Sequence, residues 1–143
     1  MALFVRWVHV LSTITWVGGM LFIALVLVPT VRGLGDGTLR ARLIQDSGQR
    51  FRVVAWIALG VLVFTGLLNL WLQPVLLRSP RFHGKLGLVG LTLILSAFHD
   101  FVLGPRAGLA GADPSARVRA SWVARLNVLV ALVIVLLGLS LRG

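Results

Sequence analysis

The sequence predicts an all-α polytopic membrane protein, a single domain (residues 1–143) made of four transmembrane helices. Three observations predict it. Of the 143 residues, 58% are hydrophobic and only 13% charged, about half the charged share of a soluble domain. The mean hydropathy is +0.98. Four apolar runs are each close to the roughly 20 residues needed to cross the hydrocarbon core, and open strands cannot satisfy their backbone groups in lipid, so the runs are helices.

The first run extends from about Trp7 to Val28 and is expected to stop at Pro29. It is longer than the roughly 7–15 apolar residues of a secretion signal, and no Ala-x-Ala site follows it, so cleavage is not expected. Next comes the longest loop, Thr30 to Arg52. Within it Leu39, Leu43 and Ile44 share a helical face, which suits either a short helix lying on the headgroups or an irregular basic loop. The second span runs from about Val53 to Leu72 and ends before Pro74. The third runs from about Lys85 to Leu103 and ends at Gly104-Pro105, and the fourth runs from about Trp122 to Leu141. A proline just past an apolar run is a helix stop. Trp7, Trp71 and Trp122 fall at helix ends as interfacial belt residues. Gly18, Gly19, Gly60, Gly66, Gly87, Gly90 and Gly138 permit close approach of helices.

The net charge of +10 comes from fourteen Lys and Arg against four Asp. Because the basic residues lie between apolar runs, they point to anionic lipid headgroups and not to nucleic acid. Loops one and three carry nine of them, and the other side, including Arg142, carries five. The excess of cations on one side predicts a multi-pass cell-membrane protein with both termini outside the cytoplasm. The absence of cysteine excludes disulfides and thiolate metal sites.

Polar groups inside a membrane are costly and so are functional candidates. At about 100° per residue, Thr13, Trp16 and Met20 share the face that His9 begins, with Met20 about 16 Å deeper. On the third span Lys85, Thr92, Ser96 and His99 form a stripe that must face protein or water, with His99 about 21 Å from Lys85. His9 and His99 thus lie at opposite levels and cannot share a metal ion within one bundle. Partners open to His9 are His83, Lys85, Asn69 or a porphyrin; those open to His99 are Asp100, Arg106, Arg125 or Met20. Asp100 is expected to pair with Arg125 or Arg106. Each candidate also has a plainer reading: a histidine that only anchors by hydrogen bonding, a Lys85 that reaches out to the interface, or a Thr65–Asn69 pair that holds helices together.

The run Trp7-Val-His9-Val followed by Trp16-Val-Gly18-Gly19 resembles the opening of CopD-type copper-resistance membrane domains. It is also similar to HemJ-type protoporphyrinogen oxidases. Thr65-Gly66-Leu-Leu-Asn69 resembles the end of the matching CopD helix. Gly84-Lys85-Leu with the later His99 is similar to the HemJ pattern, and Arg125-Leu-Asn127 to the start of its last helix. The sequence departs from HemJ in having Val128 where an acidic residue follows the asparagine, and in lacking the basic-aromatic-His end of the first helix. The CopD resemblance implies copper handling or transport. The HemJ resemblance implies a heme b in the bundle, porphyrin oxidation, and a porphyrin or quinone partner.

Ligand chemistry weighs between them. Cu(I) prefers soft Cys and Met ligands, and the chain offers only Met1 and Met20, although His9 and His83 suit Cu(II). Heme needs one or two axial ligands in an apolar slot, and His and Met both serve. The residues therefore favour a heme b protein, redox-active, in which His9 is one axial ligand and His83, then Lys85, the other, with Trp16 and Asn69 beside it. His99 with Met20 is the next metal site to consider. The alternatives are copper handling and a cofactor-free accessory subunit, with homo-oligomer formation left open.

Overall fold

The computed structural model describes residues 1–108 and 113–140; Leu141, given above as the end of the fourth span, and Arg142 lie outside them. Four helices are long and apolar enough to cross a membrane: α1 (Ala2–Arg32), α2 (Gly37–Leu72), α3 (Pro80–Ala107) and α4 (Pro114–Leu139). No strand occurs among the described residues. The chain is therefore an all-α, multi-pass membrane protein.

Most large apolar side chains point away from the protein. Phe4, Leu25, Ile57, Phe64, Trp71, Ile94 and Leu136 are all exposed. In water so extensive an apolar surface would drive association; in a bilayer it is the face that meets lipid. Small and polar residues turn inward instead, with Ala55, Ala58, Ala131, Thr65, Thr92, Ser96 and Asn127 all buried. Trp71 is exposed at the end of α2, while Trp7 and Trp122, expected at helix ends, are exposed in the second turn of α1 and the third turn of α4.

Two expected boundaries are corrected. The helix does not stop at Pro29 or at Gly104-Pro105. In α1 the turn Ile23–Leu27 widens to π geometry and the helix continues through Pro29 to Arg32. In α3 the turn His99–Leu103 does the same before Pro105. A proline inside a helix lacks its N–H and its ring collides with the carbonyl four residues back. Widening the preceding turn accommodates that ring without ending the helix. The stop before Pro74 stands: α2 ends at Leu72, and Pro74–Arg78 form a 3₁₀ turn.

Loop one also differs from expectation. Neither a separate surface helix nor an irregular loop precedes the second span; α2 begins at Gly37 and is 36 residues long, about 54 Å at 1.5 Å per residue. Its start is set by Asp36, whose carboxylate accepts from the amides of Thr38 (2.7 Å) and Leu39 (3.1 Å), as an N-cap should. No proline interrupts the segment from Gly37 to Val53, so the helix propagates unbroken from the basic segment into the apolar one.

The chain forms two compact units, Met1–Pro74 and Val75–Gly143, each an antiparallel pair of helices. In the first, α1 packs on α2, and a side chain at Gly19 would overlap the Phe51 ring. Gly66 and Gly138 also stand against side chains of the neighbouring helix. Gly18, Gly60, Gly87 and Gly90 have open space beside them, so fewer of the glycines serve helix approach than the sequence suggests.

The two units repeat one plan. The π turns begin at Ile23 and His99, 76 positions apart; Pro29 and Pro105 share that offset, and so do His9 and Lys85. On the second helix of each pair the offset is 72. It relates Gly66 to Gly138 and the buried residues Ala55, Ala58 and Leu59 to the buried Asn127, Val130 and Ala131. Each pair thus places a basic side chain from its first helix beside a glycine of its second.

Candidate functional site

In the first unit the polar residues of α1 and α2 meet at His9. Its ring is half-buried, and Nδ1 lies 2.8 Å from Thr65 Oγ1. Thr65 is 4% exposed. Its hydroxyl donates to the Val61 carbonyl at 2.6 Å, one turn back. A hydroxyl has one proton, so with that proton on Val61 the Thr65 oxygen accepts from His9. In the neutral imidazole the proton therefore sits on Nδ1. This assignment follows from the hydrogen-bond network. It is the arrangement in which a ligating histidine is held by a second residue through its other ring nitrogen.

The backbone supports this placement. Thr13 donates to the His9 carbonyl at 2.9 Å, binding the turn that carries the ring. Gly66 packs beside it: a Cβ there would make an ordinary contact with His9 Cε1, at 3.7 Å. Trp16, two turns further along the face, is buried, while Met20 beyond it is half-buried. The face from His9 through Trp16 to Met20 is therefore the protein-facing side of α1, as its spacing predicts. The second-helix partner is Thr65, however, and not Asn69. Asn69 lies one turn away, half-buried, with its carbonyl accepting from the Gln73 amide at the end of α2.

The second unit carries the remaining candidates at three levels. In the first turn of α3, His83 is exposed, and its Nδ1 lies 3.1 Å from the Ser79 carbonyl. Lys85 is half-buried, and its amine reaches α4 at Gly138, 3.3 Å from where a Cβ on that glycine would be. Deeper in the unit, Ser96 accepts from Asn127 Nδ2 at 2.9 Å in a buried bond. Thr92, 2% exposed, has a hydroxyl with no hydrogen-bond partner among the described residues. The stripe of Thr92 and Ser96 thus faces protein, as its cost in lipid requires.

In the π turn of α3, His99 Nδ1 lies 2.9 Å from Asp100 Oδ1. An arginine is the partner expected for Asp100; the structure shows a contact with the adjacent histidine. Outside the membrane span, Asp113 opens α4. Its carboxylate accepts from both the Ser115 amide (3.0 Å) and the Ser115 hydroxyl. Those bonds, and then the nearby charge of Arg119, hold its carboxyl below the usual value of 3.8.

Among the described residues no group of three or more His, Cys, Asp or Glu side chains could hold a metal ion. His83 and His99 belong to opposite ends of α3, and each ring has its own local partner. In the sequence Thr65 reads as half of a helix-holding pair with Asn69 and as part of a CopD-like motif, and Asn127 as part of a motif similar to HemJ. That reading misses that they are the partners of His9 and Ser96, since partner choice depends on the rotation of one helix against another.

Comparison with known proteins adds the following. The family model for CopD, copper resistance protein D, matches residues 46–141. An uncharacterized protein of Aquifex aeolicus (strain VF5) is 34% identical over 135 residues, covering 94% of this chain and 90% of that one. No solved structure matches the chain.

Proposed function

Because the chain belongs to the CopD family, we propose that it handles copper ions within the bilayer, with His9 as a ligand on their path. Copper is here the cargo, met by donors on the helices. The observation that carries the reading is the His9–Thr65 bond. It aligns the ring through Nδ1 without a second histidine or a cysteine. Neutral imidazole suits copper in either oxidation state. The thioether of Met20, on the same face of α1, is the soft donor that Cu(I) prefers.

This reverses the order in which ligand chemistry alone ranks the cofactors. The scarcity of Cys and Met favours heme b, whereas family membership favours copper. One observation keeps a second reading: the imidazole that suits copper also suits an axial position on heme, for which His83 and Lys85 would be the candidate second ligands. The orientation proposed from the arginine distribution, with both termini outside the cytoplasm, applies to either reading.

The test is copper binding by the purified protein in detergent, measured by competition with a chromophoric Cu(I) chelator. The wild type should bind, and His9→Ala should bind at least tenfold more weakly while keeping its helical content. Equal binding by His9→Ala refutes the assignment. A Soret band in the purified protein that His9→Ala abolishes would replace copper with heme.

A further inference from the structure

The second unit has a cleft of its own. It lies between the π turn of α3 and the first turns of α4, has a volume of about 470 Å³, and is lined by Phe98, Leu103, Arg106, Arg119, Trp122 and Val123. Two of these six residues are arginines and four are apolar. Both guanidinium groups belong to exposed residues, and among the described residues neither takes part in an ion pair. Of the acids nearby, Asp100 contacts His99, and Asp113 is bonded to Ser115 while also lying within the influence of the Arg119 charge. Arg125 lies over the Trp122 ring, 5.2 Å from its centre, adding a third positive charge beside the cleft.

We propose that this cleft binds the headgroup of an anionic phospholipid. The argument is charge complementarity joined to position. Arginine forks match phosphate oxygens in pairs, and basic pockets at the ends of transmembrane helices hold acidic lipid headgroups. The apolar lining provides for the other end of the ligand. Phe98 and Trp122 are 46% and 63% exposed, so the cleft opens onto the surface where acyl chains lie. A zwitterionic headgroup brings its own cation against Arg106, Arg119 and Arg125 and gains less. The repeat supplies an internal comparison: Thr30 and Ser47 occupy the positions in the first unit that correspond to Arg106 and Arg119. The paired charge is thus a property of this cleft and not of the hairpin plan.

The experiment is native mass spectrometry of the protein released from bilayers of equal parts phosphatidylglycerol and phosphatidylcholine. The wild type should retain one phosphatidylglycerol in preference to phosphatidylcholine, and added salt should weaken that preference. Arg106→Gln with Arg119→Gln should reduce it about thirtyfold, the effect of two arginines at an anionic surface. Because both residues are exposed, circular dichroism and elution volume should not change. Arg106→Lys with Arg119→Lys should keep part of the preference, since charge remains but the fork is lost. That pair also provides the test if the Gln variant fails to fold. Equal retention of the two lipids by the wild type refutes the proposal, as does full retention of phosphatidylglycerol by the Gln variant. Inorganic phosphate alone binding as tightly as the lipid would make the cleft a site for free anions and overturn the lipid assignment.

Discussion

Thr65→Val isolates the hydrogen bond on which the His9 site depends. Valine keeps the branched shape, so the packing of α1 on α2 is retained and no cavity opens. What is lost is the oxygen 2.8 Å from His9 Nδ1; the Val61 carbonyl loses only a second donor, because the helix backbone still serves it. A hydrogen bond between transmembrane helices averages about 0.6 kcal/mol and reaches about 1.7 kcal/mol, so the melting temperature in detergent should fall only slightly. The effect on ligation should be larger. Removing the residue that orients a ligating histidine lowers metal affinity about 10- to 100-fold, equivalent to about 1.4–2.8 kcal/mol. Chelator competition measures that affinity. Nitrogen-15 NMR of the histidines measures the tautomer, which should be Nδ1–H in the wild type and mixed in Thr65→Val. Thr65→Ser, which keeps the oxygen, should restore both. An unchanged copper affinity in Thr65→Val, or an Nε2–H tautomer in the wild type, would refute the reasoning.

Three further predictions concern fold and topology. Gly19→Val should destabilise the first unit by about 1–3 kcal/mol, the cost of overpacking, because its side chain meets the Phe51 ring; Phe51→Ala should recover part of the loss in a thermal melt. Cysteine labelling with an impermeant reagent in intact cells should reach Ser79→Cys and miss Ser115→Cys, given the distribution of cationic loops, and the opposite pattern would invert the orientation. The carboxyl of Asp113 has a lowered pKa in the folded protein, so its contribution to the start of α4 is present above pH 3.8, its usual value, and is lost as pH falls through the lower folded value. The Ser115 amide resonance should shift in that acid range and should not do so in Asp113→Asn.

The limits of sequence reading appear at particular residues. Pro29, Pro74 and Pro105 follow apolar runs in the same way, yet only Pro74 marks a helix end. The other two are absorbed by π turns, an adjustment of hydrogen-bond register that leaves no mark in composition. Loop one reads as a basic connector because its charge is visible; its continuity with α2 becomes evident only once Asp36 caps the helix. Asp100 carries a cost in lipid that any cation could offset, and arginines are the numerous cations of the sequence; its contact with the adjacent His99 is a local one that composition does not reveal. The duplicated plan is also hard to see in the sequence, because the repeated positions hold different residues, His9 against Lys85 and Trp16 against Thr92.

The sequence by itself determines that the chain lives in a membrane, that it crosses as four helices, where those helices lie to within a few turns, and which polar side chains turn away from lipid. These are consequences of transfer free energy and helical period, which depend on residue type and spacing alone. Tertiary structure decides which polar groups meet: His9 with Thr65, Ser96 with Asn127, His99 with Asp100, Lys85 with the surface at Gly138. Several residues on each face satisfy the same period, and a rotation of one helix by a single position exchanges one partner for another. That choice is made by the fit of small residues such as Gly19 and Gly66 against the neighbouring helix, a property of packed surfaces and not of either helix alone.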